Sequence, residues 1–158
     1  MIRVCFVCLG NICRSPTAEG VMRHLVVEQG LTSAIEVDSA GTAAYHTGEK
    51  PDRRSSAAAL RRGVELVGRA RQFRNQDWQH FDYVVAMDQA NFDDLAAQAP
   101  KPVHGKLSLL LQFDPASESG ASVPDPYYGG EQGFDHVVDL CFAGCRGLLE
   151  HIRRQHRL

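Results

Sequence analysis

The chain has 158 residues, of which 44% are hydrophobic and 23% are charged, and its formal net charge at pH 7 is −2. This length predicts one domain spanning residues 1–158, with enough apolar residues for a sheet covered by helices. The charge gives no indication of a nucleic-acid or membrane-surface partner, and no apolar run is long enough to cross a bilayer.

The predicted elements alternate between strands and helices along the chain. An apolar run from Ile2 to Val7 predicts the first strand, and a helix with one apolar face follows from Ser15, its expected N-cap, to a stop at Gly30. The later strands are predicted at 35–39, 81–87 and within 103–111, and the later helices at 55–66, after the expected N-cap Asp88 and after residue 133. This alternation predicts an α/β fold with a parallel sheet covered by helices on both faces.

The segment that joins the first strand to the first helix carries the strongest functional pattern. It reads Cys8-Leu9-Gly10-Asn11-Ile12-Cys13-Arg14-Ser15. The backbone N–H groups of such a loop point at one spot, and the positive end of the helix dipole adds to them, which predicts an anion pocket. In a doubly wound sheet this pocket lies at the carboxyl ends of the strands.

Two side chains of this loop add chemistry to the anion pocket. The Cys8 thiol is a candidate nucleophile, because a helix N-terminus and nearby cations lower the pKa of a cysteine. The Arg14 guanidinium is a planar fork of donors suited to two oxygens of a tetrahedral oxyanion. Ser15 can donate a hydrogen bond to the sulfur, and Gly10 is expected to permit the sharp turn of the loop. This mechanism requires no metal, and the sequence indicates no metal site.

An acid for the leaving group is predicted in the loop-rich segment 113–133. Asp125 lies between two prolines, where its carboxyl can swing over a pocket at the strand ends. The neighbouring Tyr127 and Tyr128 are expected to form an aromatic wall suited to a planar substrate group. With this acid, the anion pocket and its thiol predict a two-step catalyst.

The remaining cysteines are interpreted as packing residues. Cys5 lies within the predicted first strand and should point to the opposite face from Cys8, which argues against a redox pair. Cys141 and Cys145 fall on the apolar face of the last helix, so we expect core thiols there rather than zinc ligands. The other residues assigned to this face are Val137, Val138, Leu148, Leu149 and Ile152. Because the five cysteines lack the spacing of a disulfide framework, we expect a reducing compartment and a cytoplasmic protein.

The combination of Cys8-x5-Arg14-Ser15 with Asp125-Pro126-Tyr127-Tyr128 resembles the low-molecular-weight protein-tyrosine phosphatase family, and its bacterial members in particular. The similarity extends over essentially the whole chain, including Asp38-Ser39-Ala40-Gly41 and the last helix. It implies three layers, with a four-stranded parallel sheet between helices as in flavodoxin-like folds, and no cofactor.

The resemblance also implies a role for each residue of the site. Cys8 would form a phosphocysteine intermediate, Arg14 would clamp the phosphate, and Asp125 would protonate the departing phenolate and then activate water. The other residues of the phosphate-binding loop would be Leu9, Gly10, Asn11, Ile12, Cys13 and Ser15.

Supporting roles follow from the same resemblance. Asn11 would hold the shape of the loop, with Ser39 as its hydrogen-bond partner. Tyr45 would line the substrate crevice opposite Tyr127 and Tyr128. Cys13 matches the family's second cysteine, which can form a protective disulfide with the oxidised nucleophile. Where several animal members carry histidines this chain has Arg62 and Gly68, so the roles of those histidines are not transferred.

Three other functions remain to be compared with this one. Arsenate reductases share the fold but need further thiols on a mobile segment, whereas Cys141 and Cys145 are expected to be held in a helix. Protein-arginine phosphatases carry a threonine where this chain has Ile12, which favours the tyrosine branch. A phosphoprotein reader without activity would leave Asp125 unexplained. We therefore predict a monomeric phosphatase of phosphotyrosine-containing proteins, with a bacterial tyrosine kinase as the family-based expectation for its target.

Overall fold

A computed structural model describes residues 1–158 as a parallel four-stranded sheet with helices on both faces. The strands are β1 (Ile2–Cys8), β2 (Ile35–Gly41), β3 (Tyr83–Ala86) and β4 (Leu107–Leu109), in the spatial order β2-β1-β3-β4. The helices are α1 (Arg14–Glu28), α2 (Arg53–Leu60), α3 (Asp77–His80), α4 (Gln89–Gln98) and α5 (Glu131–His156). Two 3₁₀ helices, Lys101–Lys106 and Leu110–Phe113, flank β4. The predicted fold class is confirmed.

The side chains of β1 divide the core into two layers because successive residues of a strand point to opposite faces. Phe6 and Cys8 face the larger core, which α1, α2 and α5 cover. Cys5 and Val7 face the smaller core, where Trp78 is buried. The expectation that Cys5 points away from Cys8 is therefore confirmed, and the two thiols do not form a pair.

The strand order makes the end of β1 the natural binding position of this sheet. The chain leaves β1 toward β2 on one side and later returns to place β3 on the other side of β1. In open parallel sheets the crevice forms where the chain direction switches in this way, beyond the carboxyl ends of the strands. Cys8 is the last residue of β1 and lies at this switch point.

Helix α2 is shorter than the predicted helix at 55–66. Asp52 caps its start by accepting from the Arg54 N–H at 2.8 Å. The helix ends early because Gly63 adopts a left-handed φ of 78°. The Gly63 N–H then bonds to the Leu60 carbonyl and the Val64 N–H to the Ala59 carbonyl, each at 3.0 Å, which is a Schellman stop. Leu60, the last residue of α2, is exposed.

Helix α5 follows its prediction closely. All seven residues assigned to its apolar face are buried: Val137, Val138, Cys141, Cys145, Leu148, Leu149 and Ile152. Burial raises the pKa values of Cys141 and Cys145, so both remain neutral core thiols. None of the helices combines the length and hydropathy that a membrane span requires.

Candidate active site

The loop between β1 and α1 closes around the Cys8 sulfur. The Asn11 backbone N–H donates to Cys8 Sγ at 3.3 Å, and Ser15 Oγ lies 3.0 Å from the same sulfur. The turn that brings the loop back is made at Asn11, which has a left-handed φ of 57°. Asparagine tolerates this conformation better than most residues with a side chain. The sharp turn predicted for Gly10 is therefore located one residue later.

Helix α1 begins at Arg14 with Cys13 as the N-cap residue, two positions before the predicted N-cap Ser15. Ser15 was expected to cap the helix, but its hydroxyl lies inside the first turn and points to the Cys8 sulfur instead. Cys13 makes no side-chain capping bond. The first backbone N–H groups of α1 are therefore left to face the loop, as an anion pocket requires.

The Asn11 side chain makes three hydrogen bonds, one of which ties the loop to β2. Its Nδ2 donates to Ser15 Oγ at 2.8 Å and to Ser39 Oγ at 2.9 Å, and its Oδ1 accepts from the Arg71 backbone N–H at 3.0 Å. Since Ser15 Oγ accepts from Asn11, its own proton is free to be donated to Cys8 Sγ. This arrangement stabilises negative charge on the sulfur.

The hydrogen-bond chain continues away from the loop to a buried carboxylate that sequence reasoning missed. Ser39 Oγ donates to Glu19 Oε1 at 2.6 Å, and the other Glu19 oxygen accepts from Arg23 at 2.6 Å. Glu19 belongs to α1. The only indication of its role in the sequence is its position in the first half of this helix, on the face that packs against the protein. The hydroxyl of Ser39 is thus fixed from both sides, which orients Asn11.

Arg14 is almost fully buried, and two acidic residues surround its guanidinium. Its Nη1 donates to Asp88 Oδ2 at 2.5 Å and to the Val123 carbonyl at 3.1 Å, while Nη2 lies 3.7 Å from Asp125 Oδ2. Burial lowers the pKa of Arg14, but the Cys8 sulfur and the two carboxylates outweigh it, so the pKa lies above its ordinary value. The group stays a cation aimed at the loop.

Asp88 has two roles, of which the sequence indicated one. Its Oδ1 accepts from the Asn91 N–H at 2.7 Å, which caps α4 as predicted. Its Oδ2 is the ion-pair partner of Arg14. An N-cap at the end of β3 cannot be distinguished by sequence from a residue that also orients the arginine, because both tasks use a carboxylate in the same position.

A cavity of about 170 Å³ opens over the loop and collects most of the predicted residues. It is lined by Cys8, Leu9, Gly10, Ile12, Cys13, Arg14, Tyr45, His46, Asp125, Tyr127 and Tyr128. The predicted loop residues Asn11 and Ser15, together with Ser39, lie behind the loop, where they support it. The structure thus brings Cys8, Arg14 and Asp125 together around one space.

The wall of the cavity is aromatic and open to solvent. Asp125 Oδ1 accepts from the Tyr127 N–H at 3.0 Å, which places its other oxygen toward Arg14. The rings of Tyr127 and Tyr128 form an edge-to-face pair with centroids 5.0 Å apart. Tyr45 and Tyr128 are strongly exposed, so their faces are available to a ligand.

His46 is a lining residue that the sequence analysis did not find. Its ring lies so close to Gly10 that a Cβ at that glycine would be 2.9 Å from His46 Cδ2. Its Nδ1 is 2.6 Å from Glu49 Oε2, and its ring centroid is 6.2 Å from that of Tyr127. The only signal in the sequence is its position next to Tyr45 in the predicted crevice loop.

Cys13 is buried beside the cavity as a free thiol, like the other four cysteines. Burial raises its pKa to about 12, although a hydrogen bond from Ser55 acts in the opposite direction. Cys13 is therefore protonated and unreactive at neutral pH. The predicted disulfide between Cys8 and Cys13 stays a prediction.

A family model described as low molecular weight phosphotyrosine protein phosphatase matches residues 3–158. The chain belongs to this family. A putative low molecular weight protein-tyrosine-phosphatase from Synechocystis is 43% identical over 155 residues, which cover 98% of each chain. The resemblance seen in the sequence is confirmed.

Solved structures agree with this assignment. A protein tyrosine phosphatase from Entamoeba histolytica, with Hepes in its active site, superposes with a TM-score of 0.94 at 37% identity over the whole of both chains. A Drosophila arginine phosphatase superposes with a TM-score of 0.89 at 33% identity, over 96% of this chain and 98% of that one. The fold therefore accompanies more than one named phosphatase activity, and the site must decide between them.

Proposed function

We propose that this chain hydrolyses phosphotyrosine in proteins through a cysteinyl-phosphate intermediate. The observation that carries the proposal is the convergence of Cys8, Arg14 and Asp125 on one cavity at the end of β1. A nucleophile, a cation for the phosphoryl oxygens and an acid for the leaving group are the groups that such a hydrolysis needs.

In the first step the Cys8 thiolate attacks the phosphorus and the bond to the tyrosine oxygen breaks. The Arg14 guanidinium and the loop N–H groups hold the phosphoryl oxygens as charge develops on them. The protonated Asp125 carboxyl gives its proton to the departing phenolate. The products are a dephosphorylated tyrosine side chain in the substrate protein and a phosphoryl group bound to the Cys8 sulfur.

In the second step Asp125, now a carboxylate, removes a proton from water. The resulting hydroxide attacks the phosphorus and the sulfur–phosphorus bond breaks, which returns the Cys8 thiolate and releases inorganic phosphate. The Ser15 hydroxyl, 3.0 Å from the sulfur, stabilises the leaving thiolate. Asp125 thus ends the cycle protonated, ready for the next substrate.

The lining of the cavity favours an aryl phosphate over an alkyl or guanidinium phosphate. Tyr45, Tyr127 and Tyr128 present ring faces on which a phenyl group can stack. Ile12, which lines the cavity and is mostly buried, offers no hydroxyl to a guanidinium substrate. The arginine phosphatase and arsenate reductase alternatives are not favoured by this lining or by the two helix-bound thiols Cys141 and Cys145.

The proposal extends to the setting of the enzyme. We propose a monomeric enzyme with one domain, and the five free thiols support a reducing, cytoplasmic setting. A bacterial tyrosine kinase remains the target that we propose on the basis of the family. Size-exclusion chromatography and turnover of the phosphorylated kinase test these two points.

The main proposal is tested by parallel assays of phosphotyrosine, phosphoserine and phosphoarginine peptides. We expect turnover of the first only, no turnover in Cys8→Ser, and a kcat lower by about 10²- to 10⁴-fold in Asp125→Asn because the acid is lost. Glu118→Gln, an exposed carboxylate in the same loop, is the matched control and should behave as wild type. Undiminished activity in Cys8→Ser would refute the mechanism.

A further inference from the structure

The charges of this chain are strongly polarised, although its net charge is only −2. Eight of its 17 Lys and Arg residues occur between positions 50 and 74: Lys50, Arg53, Arg54, Arg61, Arg62, Arg69, Arg71 and Arg74. The same segment has two acidic residues, Asp52 and Glu65. Between positions 107 and 145 the chain has no Lys or Arg and six acidic residues: Asp114, Glu118, Asp125, Glu131, Asp135 and Asp139.

Half of the cations in segment 50–74 are neutralised by carboxylates. Arg54 pairs with Asp52, Arg61 with Asp135, Arg62 with Asp139, and Arg71 with both Asp38 and Asp77. The other four, Lys50, Arg53, Arg69 and Arg74, form no ion pair within 4.0 Å. The positive charge that is available to a partner is therefore concentrated on these four side chains.

Three of the four line one surface groove of about 690 Å³, which we name the basic groove. Its cations are Lys50, Arg53 and Arg69, and Ser56 and the half-exposed Val67 are among its other lining residues. No acidic residue lines it. Arg69 is held in place by donating to the Gly48 carbonyl at 3.0 Å. The groove thus offers three unpaired cations, of which Arg69 is held by a hydrogen bond, beside a small apolar surface.

The basic groove is connected to the cavity over Cys8 through the start of α2. The Asp52 backbone N–H donates to the Ile12 carbonyl at 2.8 Å, which anchors the helix to the catalytic loop. Arg54 lies over the ring of Tyr127, 5.2 Å from its centroid, and Tyr127 lines the cavity. Arg53, the next residue along the chain, belongs to the basic groove. The cavity and the basic groove therefore both adjoin the start of α2.

Acidic residues are concentrated in other segments. Helix α4 presents the exposed Asp93 and Asp94, and the loop that carries Asp125 contains no cation. An acidic chain bound at the cavity is therefore attracted toward the unpaired cations of segment 50–74 rather than toward these segments.

We propose that the basic groove binds acidic side chains that flank the phosphotyrosine of a protein substrate. This inference rests on the proposed phosphatase activity and names a feature of its substrates. Aspartate, glutamate or a second phosphotyrosine supplies the oxygens that the Arg53 and Arg69 guanidiniums can hold in a bidentate way. Because the contacts are exposed ion pairs, they act on KM and on the association rate rather than on kcat.

The test compares three substrates: para-nitrophenyl phosphate, a phosphotyrosine peptide with glutamates on both sides, and the same peptide with glutamines. The groove variant is Lys50→Gln/Arg53→Gln/Arg69→Gln. The matched control, Arg74→Gln/Lys101→Gln/Arg154→Gln, removes the same charge from exposed positions outside the groove. Peptide binding to the same variants on a Cys8→Ser background, measured by fluorescence anisotropy, gives a result that does not depend on turnover.

We expect the wild type to prefer the glutamate peptide and the groove variant to lose about 3- to 30-fold in kcat/KM for it, from three exposed ion pairs. The loss in kcat/KM should come from a higher KM. It should be absent with para-nitrophenyl phosphate and absent in the control variant. It should also vanish at about 1 M salt, where the Debye length is about 3 Å.

Equal affinity of the Cys8→Ser protein for the two peptides would overturn the inference, whether or not the wild type turns them over. Loss of binding to phosphatidylserine vesicles in the groove variant, with equal peptide affinities, would assign the groove to lipid and also overturn it. If the wild type turns over none of the three substrates, but the Cys8→Ser protein still binds the glutamate peptide more tightly than the glutamine peptide, the phosphatase activity is refuted and the groove stays supported.

Discussion

The contact between Arg14 and Asp88 offers a sharp test of how the site is held. The two Asp88 oxygens serve two donors, because Oδ1 accepts from the Asn91 N–H and Oδ2 from Arg14 Nη1. An asparagine at this position has only one oxygen. In Asp88→Asn one of the two donors must therefore face an NH₂ group, whichever way the amide is turned.

The expected loss of stability follows from how deeply Arg14 and Asp88 are buried. Arg14 is 3% exposed and Asp88 is 23% exposed, so the pair is neither fully buried nor at the surface. Removing one partner of a buried pair costs about 3–5 kcal/mol, and an exposed pair is worth about 0–1 kcal/mol. Since Arg14 keeps the Val123 carbonyl and the more distant Asp125, we expect the free energy of unfolding to fall by about 1–3 kcal/mol.

Two assays measure this effect, urea denaturation and the turnover of para-nitrophenyl phosphate. We expect kcat/KM to fall by about tenfold or more, since each tenfold corresponds to about 1.4 kcal/mol of lost transition-state stabilisation. Asp93→Asn removes the same charge from an exposed site on α4 and should change the stability by less than about 0.5 kcal/mol. Wild-type stability and activity in Asp88→Asn would show that Arg14 does not depend on this carboxylate.

Two further predictions concern the loop itself. Gly10→Ala should raise KM for aryl phosphates several-fold, because the new methyl group displaces the His46 ring. The double variant Gly10→Ala/His46→Ala should return KM most of the way to the wild-type value. An equal KM in both variants would show that the His46 ring does not matter. Iodoacetamide at about pH 7 should label Cys8 alone, with protection by inorganic phosphate, because burial raises the pKa of Cys13 to about 12. The same burial of Cys13 predicts a lower free energy of unfolding above about pH 9, since the unfolded thiol loses its proton near pH 8.5 and the folded thiol keeps it to a higher pH. If mass spectrometry finds the label on Cys13 at neutral pH, this reasoning is contradicted.

The sequence predicted the fold well where hydrophobic periodicity was strong. The alternation along β1 assigned Cys5 and Cys8 to opposite cores, and the apolar face of α5 was predicted residue by residue. It failed where one residue's backbone conformation decides the end of an element. The helix former Leu60 suggested a continuing helix, but the left-handed Gly63 and the bonds it allows end α2 first.

The candidate site was predictable where a residue's chemistry is rare at its position. A cysteine, an arginine and an aspartate in a fixed pattern predicted Cys8, Arg14 and Asp125, which line one cavity in the structure. The residues that were missed share no local pattern, because Glu19 and the second role of Asp88 depend on contacts between distant segments. Sequence spacing carries no information about which carboxylate meets which donor across the sheet.

The contacts around the loop explain how one fold can serve different phosphate esters. The side chains that maintain the loop lie behind it: Asn11 donates to Ser15 Oγ and to Ser39 Oγ, and Ser15 Oγ lies 3.0 Å from the Cys8 sulfur. The aromatic part of the cavity wall comes from other segments, at Tyr45 and at 125–128. The tyrosines of these segments make no hydrogen bond to the sulfur, so they can change while its hydrogen bonds remain. A similar structure with an arginine phosphatase activity is then expected, and we propose that substrate choice in this chain depends on the aromatic wall, on Ile12 and on the charges beside the cavity.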